Sequence, residues 1–336
     1  MSLSPIKTTK VIVAGKSFPA IYDYLMNELP KIKLKMVNHK ELANEIVEAH
    51  VIIPGMSIIN NDLLDKASQL LLIQQWGAGL EGVDIELATR LKIPVANVPT
   101  KGTGNAESVA EWYVMAVLNL CRKTCEIRSL VETVSDWGAP IGQALYGKTA
   151  GIIGFGGIGK ALAKRLRAFQ MKVIAIQRHP DQESAKKIGL EWIGNEQDLP
   201  KLLRQTEFLF LCLPLNDSSF HLLNQETIAM LPQGACILNA ARGSIIEKKA
   251  LTKALREGRI GGAALDVYWK EPPISNDSIT QCPNVLLTPH VAGVTDYSYQ
   301  GIAHQVAINI LRVFRGYLPL HCANPEVEPL WLRKGK

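Results

Sequence analysis

Between Thr149 and Gly159 the chain reads TAGIIGFGGIG, an apolar strand-length run that enters Gly154-Phe155-Gly156-Gly157-Ile158-Gly159 and continues into the helical pattern Lys160–Ala168. With a strand before it and a helix after it, this spacing has a defined chemistry. Gly154 permits a tight turn, Gly156 lets backbone N–H groups approach a pyrophosphate, and Gly159 lets the helix lie close to the strand. The helix N-terminus at Gly157 and Ile158 then faces the phosphate charge. The plainer alternative is a turn that only packs a helix on a strand. Three later segments put polar residues directly behind apolar strands. They are Leu238-Asn239-Ala240-Ala241-Arg242-Gly243, Leu265-Asp266-Val267 running on to Glu271-Pro272, and Leu287-Thr288-Pro289-His290. In a doubly wound sheet the carboxyl ends of the strands are where ligands bind. Singly, Arg242 reads as a solvated cation, Glu271 as a surface acid and His290 as a strand-end histidine. Together with the glycine turn they form a candidate site.

These residues need a scaffold, and the pattern of the whole chain supplies one. Strand-length apolar runs alternate with amphipathic helical stretches, the signature of parallel sheets with helical crossovers, so the class is α/β. The first set of strands is expected at Val11–Ala14, Ile32–Val37, His50–Ile53, Leu71–Gln74 and Val95–Val98. A long helix is expected from Gly104 to about Thr133, followed by a loop over Asp136–Gly147. The second set falls at Thr149–Ile153, Lys172–Ile176, Phe208–Cys212, Ala235–Asn239, Gly262–Leu265 and Val285–Leu287, with a closing helix over about Thr295–Phe314. The glycine turn comes so late that a separate domain must precede its own. A length of 336 residues agrees with two domains, and 47% hydrophobic with 20% charged residues excludes intrinsic disorder. The net charge of +6 is scattered over segments such as Lys31–Lys35, Lys160–Arg167 and Arg333–Lys336, too diffuse for a nucleic-acid partner. The six cysteines (Cys121, Cys125, Cys212, Cys236, Cys282 and Cys322) show no C-x-x-C spacing, so reduced thiols and no metal site are expected. Met1–Lys10 lacks a signal-peptide core, and the longest apolar run, Phe208–Leu215, is far short of the ~20 residues of a membrane span. A cytoplasmic protein with no membrane partner is expected.

The order of these motifs resembles that of the D-isomer-specific 2-hydroxyacid dehydrogenase family over essentially the whole chain. The matching segments begin with Gln75-Trp76-Gly77-Ala78-Gly79, Asn105-Ala106-Glu107-Ser108-Val109-Ala110-Glu111 and the glycine turn. They continue with Asn239-Ala240-Ala241-Arg242-Gly243, Asp266-Val267, Glu271-Pro272 and Pro289-His290-Val291-Ala292-Gly293. The resemblance implies two doubly wound parallel-sheet domains. A Rossmann cofactor domain at 102–293 would be inserted into a flavodoxin-like substrate domain made of 1–101 and 294–336. It implies an NAD(P)-dependent enzyme acting on a small 2-keto acid. Hydride transfer to such an acid needs a cation on the carboxylate and carbonyl, a role for Arg242, and a proton donor beside the oxygen, a role for His290. Glu271 would orient that imidazole. Ala78 and Gly79 would offer N–H groups to the substrate carboxylate. Asp266 would accept from the nicotinamide carboxamide or, alternatively, only cap its own turn. Leu213 and Pro214 would lie over the adenosine, with Ala240, Ala241, His290 and Gly293 completing the cofactor contacts. A homodimer through the helix from about Asn105 and the loop containing Trp137 is also implied.

Trp112 stands where many family members carry a histidine, so any side role of that histidine is missing. A formate dehydrogenase would have glutamine at Glu271, and the length leaves no room for an added regulatory domain. Pro54-Gly55-Met56-Ser57 offers no cation to a substrate phosphate, which favours glyoxylate or hydroxypyruvate. The rival reading is a dinucleotide-sensing co-repressor of the same fold, disfavoured by the lack of long disordered extensions. For the cofactor, the informative residues end the strand Lys172–Ile176. Gln177, 18 residues past Gly159, replaces the carboxylate that an NAD site usually places there, and Arg178 could pair with a 2′-phosphate. NADP is therefore the expected preference, with NAD tolerated.

Overall fold

The computed structural model describes residues 9–124, 127, 137–274, 276–282, 284–329 and 331–332. The expected continuation of the long helix to Thr133, Cys125 and the basic end Arg333–Lys336 lie outside the described residues. The chain divides into two compact units, Met1–Asn105 with Asp296–Lys336, and Ala106–Thr295.

The first unit is built on β1 (Lys10–Ala14), β2 (Lys33–Val37), β3 (Val51–Ile53), β4 (Leu72–Gln74) and β5 (Val95–Ala96). They form an all-parallel sheet in the order β2-β1-β3-β4-β5, the flavodoxin-like arrangement. Alternation along each strand feeds two cores. Val11, Val13, Val51, Ile53 and Leu72 pack with Ile302, Val306 and Ile310 of the helix Asp296–Phe314. Ile12, Ile52, Ile73 and Val95 pack on the other face with Leu42, Ile46 and Leu87. Both faces are covered at β1, β3 and β4, which is why these strands are mostly apolar, whereas the edge strand β2 alternates and keeps Lys33 and Lys35 exposed. The returning C-terminal segment is tied in by side chains: Asn309 Nδ2 donates to Gln74 Oε1 at 2.8 Å, and Asn324 Oδ1 accepts from the Val95 N–H at 2.8 Å. The fifth strand is shorter than expected because the Val98 N–H leaves the ladder for the Gly77 carbonyl.

The second unit carries β6 (Thr149–Ile153), β7 (Lys172–Ile176), β8 (Trp192–Gly194), β9 (Phe208–Leu211), β10 (Cys236–Asn239), β11 (Gly262–Leu265) and β12 (Val285–Leu287). Its parallel sheet runs β12-β11-β10-β9-β6-β7-β8. The chain first builds outward from β6 to β8, then returns to place β9 on the other side of β6. That reversal between β6 and β9 opens a crevice at the carboxyl ends of the strands. One face packs Ile152, Val173, Phe210 and Leu238 against Val109 and Tyr113 of the helix Asn105–Arg122 and Leu162 of the helix Gly157–Ala168. The other packs Ile153, Ile174, Leu211 and Ile237 with Leu202 and Leu251. No helix among the described residues is long and apolar enough to cross a membrane.

Candidate active site

The glycine turn leaves β6 at Gly154, whose φ is +96°. A Cβ there would run into the Cys212 carbonyl, so both the left-handed backbone and the approach of the β9 end require glycine. Gly156 caps the helix Gly157–Ala168 with no side-chain acceptor for its first N–H groups, which start at Gly157 and Ile158. A Cβ on Gly156 would meet nothing within 4 Å, so the space above the helix start is open. Gly159 sits against the Gly154 carbonyl. Beside the turn lies a cavity of about 360 Å³ lined by Gly154, Gly156, Gln177, Arg178, Leu213 and Pro214, together with Glu196. Gln177 Oε1 is buried without a hydrogen-bond partner. An uncapped helix start, an open cradle over Gly156 and an orphaned acceptor fit a dinucleotide: backbone donors for the pyrophosphate, and an acceptor for a ribose hydroxyl.

The polar cluster sits at the ends of β10, β11 and β12. Asn239, fully buried, accepts the Ala241 N–H at its Oδ1 and donates Nδ2 to the Arg242 carbonyl, both at 2.9 Å, fixing the turn that presents Arg242. The Ala240 N–H donates to the Tyr113 hydroxyl at 2.9 Å, and that hydroxyl donates to the Leu211 carbonyl, bridging the ends of β9 and β10. Burial pushes the Tyr113 hydroxyl well above its ordinary pKa, so it remains a donor. Gly243 lies so close to the Tyr268 carbonyl that a side chain would displace the segment leading to Glu271. The Tyr268 N–H donates to Glu271 Oε1 at 2.9 Å, and Glu271 Oε2 meets His290 Nδ1 at 2.6 Å. Burial acts to raise the Glu271 pKa. The hydrogen bond and charge of His290, the Tyr268 N–H and the charge of Arg242 outweigh it and hold the carboxyl below its usual range. A carboxylate only accepts, so Nδ1 carries the proton and Nε2 is the ring's other working atom. The His290 side chain keeps 31% exposure against 15% for Glu271, leaving the imidazole within reach of a ligand.

Residues 114–292 match the family model described as D-isomer specific 2-hydroxyacid dehydrogenase, NAD binding domain. The chain belongs to the D-isomer specific 2-hydroxyacid dehydrogenases. A glyoxylate reductase of Thermococcus litoralis is 33% identical over 278 residues, covering 80% of this chain and 81% of that one. A glyoxylate reductase of Pyrococcus horikoshii is 30% identical over 329 residues, covering 90% and 96%. The apo-structure of D-lactate dehydrogenase from Escherichia coli superposes with a TM-score of 0.81 at 25% identity, over 94% of this chain and 100% of that one. The protein is thus an NAD(P)-dependent oxidoreductase of D-2-hydroxy acids.

In this dehydrogenase Asp266 is an internal anchor. It is 1% exposed; Oδ1 accepts from the Thr288 hydroxyl at 2.5 Å and the Val291 N–H at 2.8 Å, while Oδ2 accepts from the Ala292 N–H at 2.8 Å. Of the two roles open to it from sequence, the geometry fills the capping one. The His290 N–H bonds the Asp266 carbonyl at 2.9 Å, so side chain and backbone of one aspartate hold the whole 288–292 turn, with His290 itself at a φ of +56°. Gly293 lies in the following turn, closed by the Val294 N–H on the Val291 carbonyl. Trp112 finds a partner here that sequence reasoning did not foresee. Its indole N–H donates to Thr288 Oγ1 at 3.0 Å, from 176 residues away. The Tyr268 hydroxyl adds a bond to the Thr288 carbonyl at 2.9 Å. No local signal marks these supporting residues, because each is defined by a strand end that another part of the chain supplies. Ala78 and Gly79 belong to the first unit, in the loop after β4. There the Ala78 carbonyl accepts from Asn97 Nδ2 at 2.8 Å, and Gln75 braces the turn by donating to the Gly55 carbonyl and accepting the Trp76 N–H.

Proposed function

We propose that this dehydrogenase reduces a small, unphosphorylated 2-keto acid, glyoxylate or hydroxypyruvate, to the corresponding 2-hydroxy acid, with NADPH preferred and NADH accepted. The observation that carries the reading is the 2.6 Å contact of His290 Nδ1 with Glu271, which fixes the orientation of the ring. A bound nicotinamide supplies the hydride. Arg242 would hold the substrate carboxylate through its planar fork and draw electron density from the carbonyl. As C2 receives the hydride, His290, entering the step protonated on both ring nitrogens, would give the Nε2 proton to the carbonyl oxygen and keep the Nδ1 proton on Glu271, which remains a carboxylate that orients the imidazole. Asp266, Thr288 and Trp112 act as positioning residues behind it. Gly156, Gly157 and Ile158 at the helix start would hold the pyrophosphate, and Gln177, Arg178, Leu213 and Pro214 would line the adenosine's cavity. Ala240, Ala241, Asp266, His290 and Gly293 would serve the nicotinamide half. The names of the Thermococcus and Pyrococcus relatives, and the lack of any Arg or Lys in Pro54–Ser57, support the substrate class.

The test is steady turnover of glyoxylate and hydroxypyruvate with each reduced cofactor. Dinucleotide binding without turnover of any keto acid would overturn the reading in favour of a sensing role. For the cofactor, Arg178→Ala is expected to weaken NADPH binding by about tenfold, the lower end of a charged hydrogen bond, and to leave NADH within about twofold. A clear NADH preference that Arg178→Ala does not change would contradict the assignment. A homodimer acting in the cytosol completes the reading. It is supported by the exposed apolar side chains of Trp137, Ile141 and Tyr146 (88%, 90% and 70%) and by the free thiols of Cys121, Cys212, Cys236, Cys282 and Cys322. Light scattering should give twice the 36.9 kDa of one chain.

A further inference from the structure

Among the described residues, two charged ones line the cavity beside the glycine turn, Arg178 and Glu196, and they face each other. Arg178 Nε lies 3.3 Å from Glu196 Oε1, with both side chains 60% exposed. The nearby pair Lys160 and Asp181, 2.5 Å apart, neutralises itself away from the cavity lining. The glutamate is set in place by backbone. The Gln177 N–H donates to the Gly194 carbonyl at 3.0 Å, which fixes the end of β8 against the end of β7. The short 3-10 turn Glu196–Asp198 is then closed by a reciprocal cap: Asn195 Oδ1 accepts the Gln197 N–H, and Asp198 Oδ2 accepts the Asn195 N–H.

We infer that Glu196 is a specificity-determining residue for the cofactor, supplying from the turn after β8 the carboxylate that the end of β7 lacks and opposing the attraction of Arg178 for a 2′-phosphate. The inference rests on the placement of the adenosine in this cavity given under Proposed function. A 2′-phosphate brings acceptors only and about −1.5 to −2 charges. It competes with Glu196 for the charge of Arg178, and it meets the orphaned Gln177 Oε1, itself an acceptor. A ribose 2′-hydroxyl carries one donor, which either Gln177 Oε1 or Glu196 can accept. The anion thus penalises NADPH and leaves NADH unaffected or slightly favoured, so the chain holds its phosphate preference in check.

The test is titration of the ligand-free protein with NADPH and NADH, followed by calorimetry, for the wild type, Glu196→Gln, Arg178→Ala and the double variant. Glu196 is exposed and its backbone caps are made by its neighbours, so Glu196→Gln keeps the fold. Glu196→Gln is expected to tighten NADPH by about five- to thirtyfold at low ionic strength, more than an exposed pair of unit charges gives because the phosphate carries more charge. NADH should change by less than about twofold, and the NADPH gain should shrink in high salt. In the Arg178→Ala background the same substitution should give a smaller gain, since only direct repulsion is relieved. If Arg178→Ala shifts the NADPH affinity and Glu196→Gln leaves the NADPH/NADH ratio at its wild-type value, the role of Glu196 is overturned and the adenosine placement stands. If both cofactors bind and neither variant moves either affinity, the adenosine lies elsewhere and both inferences fall.

Discussion

Replacing His290 with alanine is expected to lower kcat by about 10²- to 10⁴-fold, the range for loss of a positioned general acid, with cofactor affinity nearly intact. The size follows from how fully the ring is committed. Its Nδ1 is held 2.6 Å from a carboxylate that the surrounding charges keep ionised, and its backbone N–H is bonded to the Asp266 carbonyl, so the imidazole is held in one orientation. Water can replace a proton donor only without that orientation. Arg242→Ala should instead lower kcat and raise KM together, because in the proposed reaction the guanidinium would hold the substrate both before and during hydride transfer. The pair of measurements separates the two roles. Turnover of His290→Ala within about fivefold of wild type would assign the proton donor elsewhere.

Asp266→Ala is expected to cost about 3–5 kcal/mol of stability, because three donors lose their only acceptor in a site 1% exposed to water. For a unit of this size that corresponds to a fall in Tm on the order of 10 °C. The Val291 and Ala292 N–H groups would be left unpaired beside the His290 turn, so kcat should fall as well. Asp266→Asn keeps one acceptor oxygen and places an amide N–H₂ against a backbone N–H. It should therefore fold with a smaller loss of Tm and a kcat loss that exceeds its change in KM. A positioning role predicts that split, whereas a purely structural role predicts normal kcat in the folded fraction. Thermal melting followed by circular dichroism, together with steady-state kinetics, reads both quantities. A Tm within about 2 °C of wild type for Asp266→Ala would show that the turn does not depend on this carboxylate.

The features legible along the chain are those whose physics is local. Strands buried on both faces must be apolar runs, so Thr149–Ile153, Lys172–Ile176 and Gly262–Leu265 are readable with their limits. A glycine-rich turn between a strand and a helix is likewise legible as a candidate phosphate site from local spacing alone. Arg242, Glu271 and His290 stand out because each follows a strand at its carboxyl end. β8 escaped because Trp192–Gly194 is three residues long at a sheet edge, with no run or alternation to mark it, and Glu196 escaped with it. Tertiary structure alone decided which residues meet. The adjacency of β11 and β12 brings Glu271 to His290 and Thr288 to Asp266. The helix Asn105–Arg122 brings Trp112 to Thr288 and Tyr113 to the ends of β9 and β10. Whether Asp266 caps a turn, and whether Arg178 stands alone at the cavity or opposite an acid, are likewise fixed by partners distant in the chain. A side chain's type is written locally, but its hydrogen-bond partners are chosen by the order of strands in the sheet.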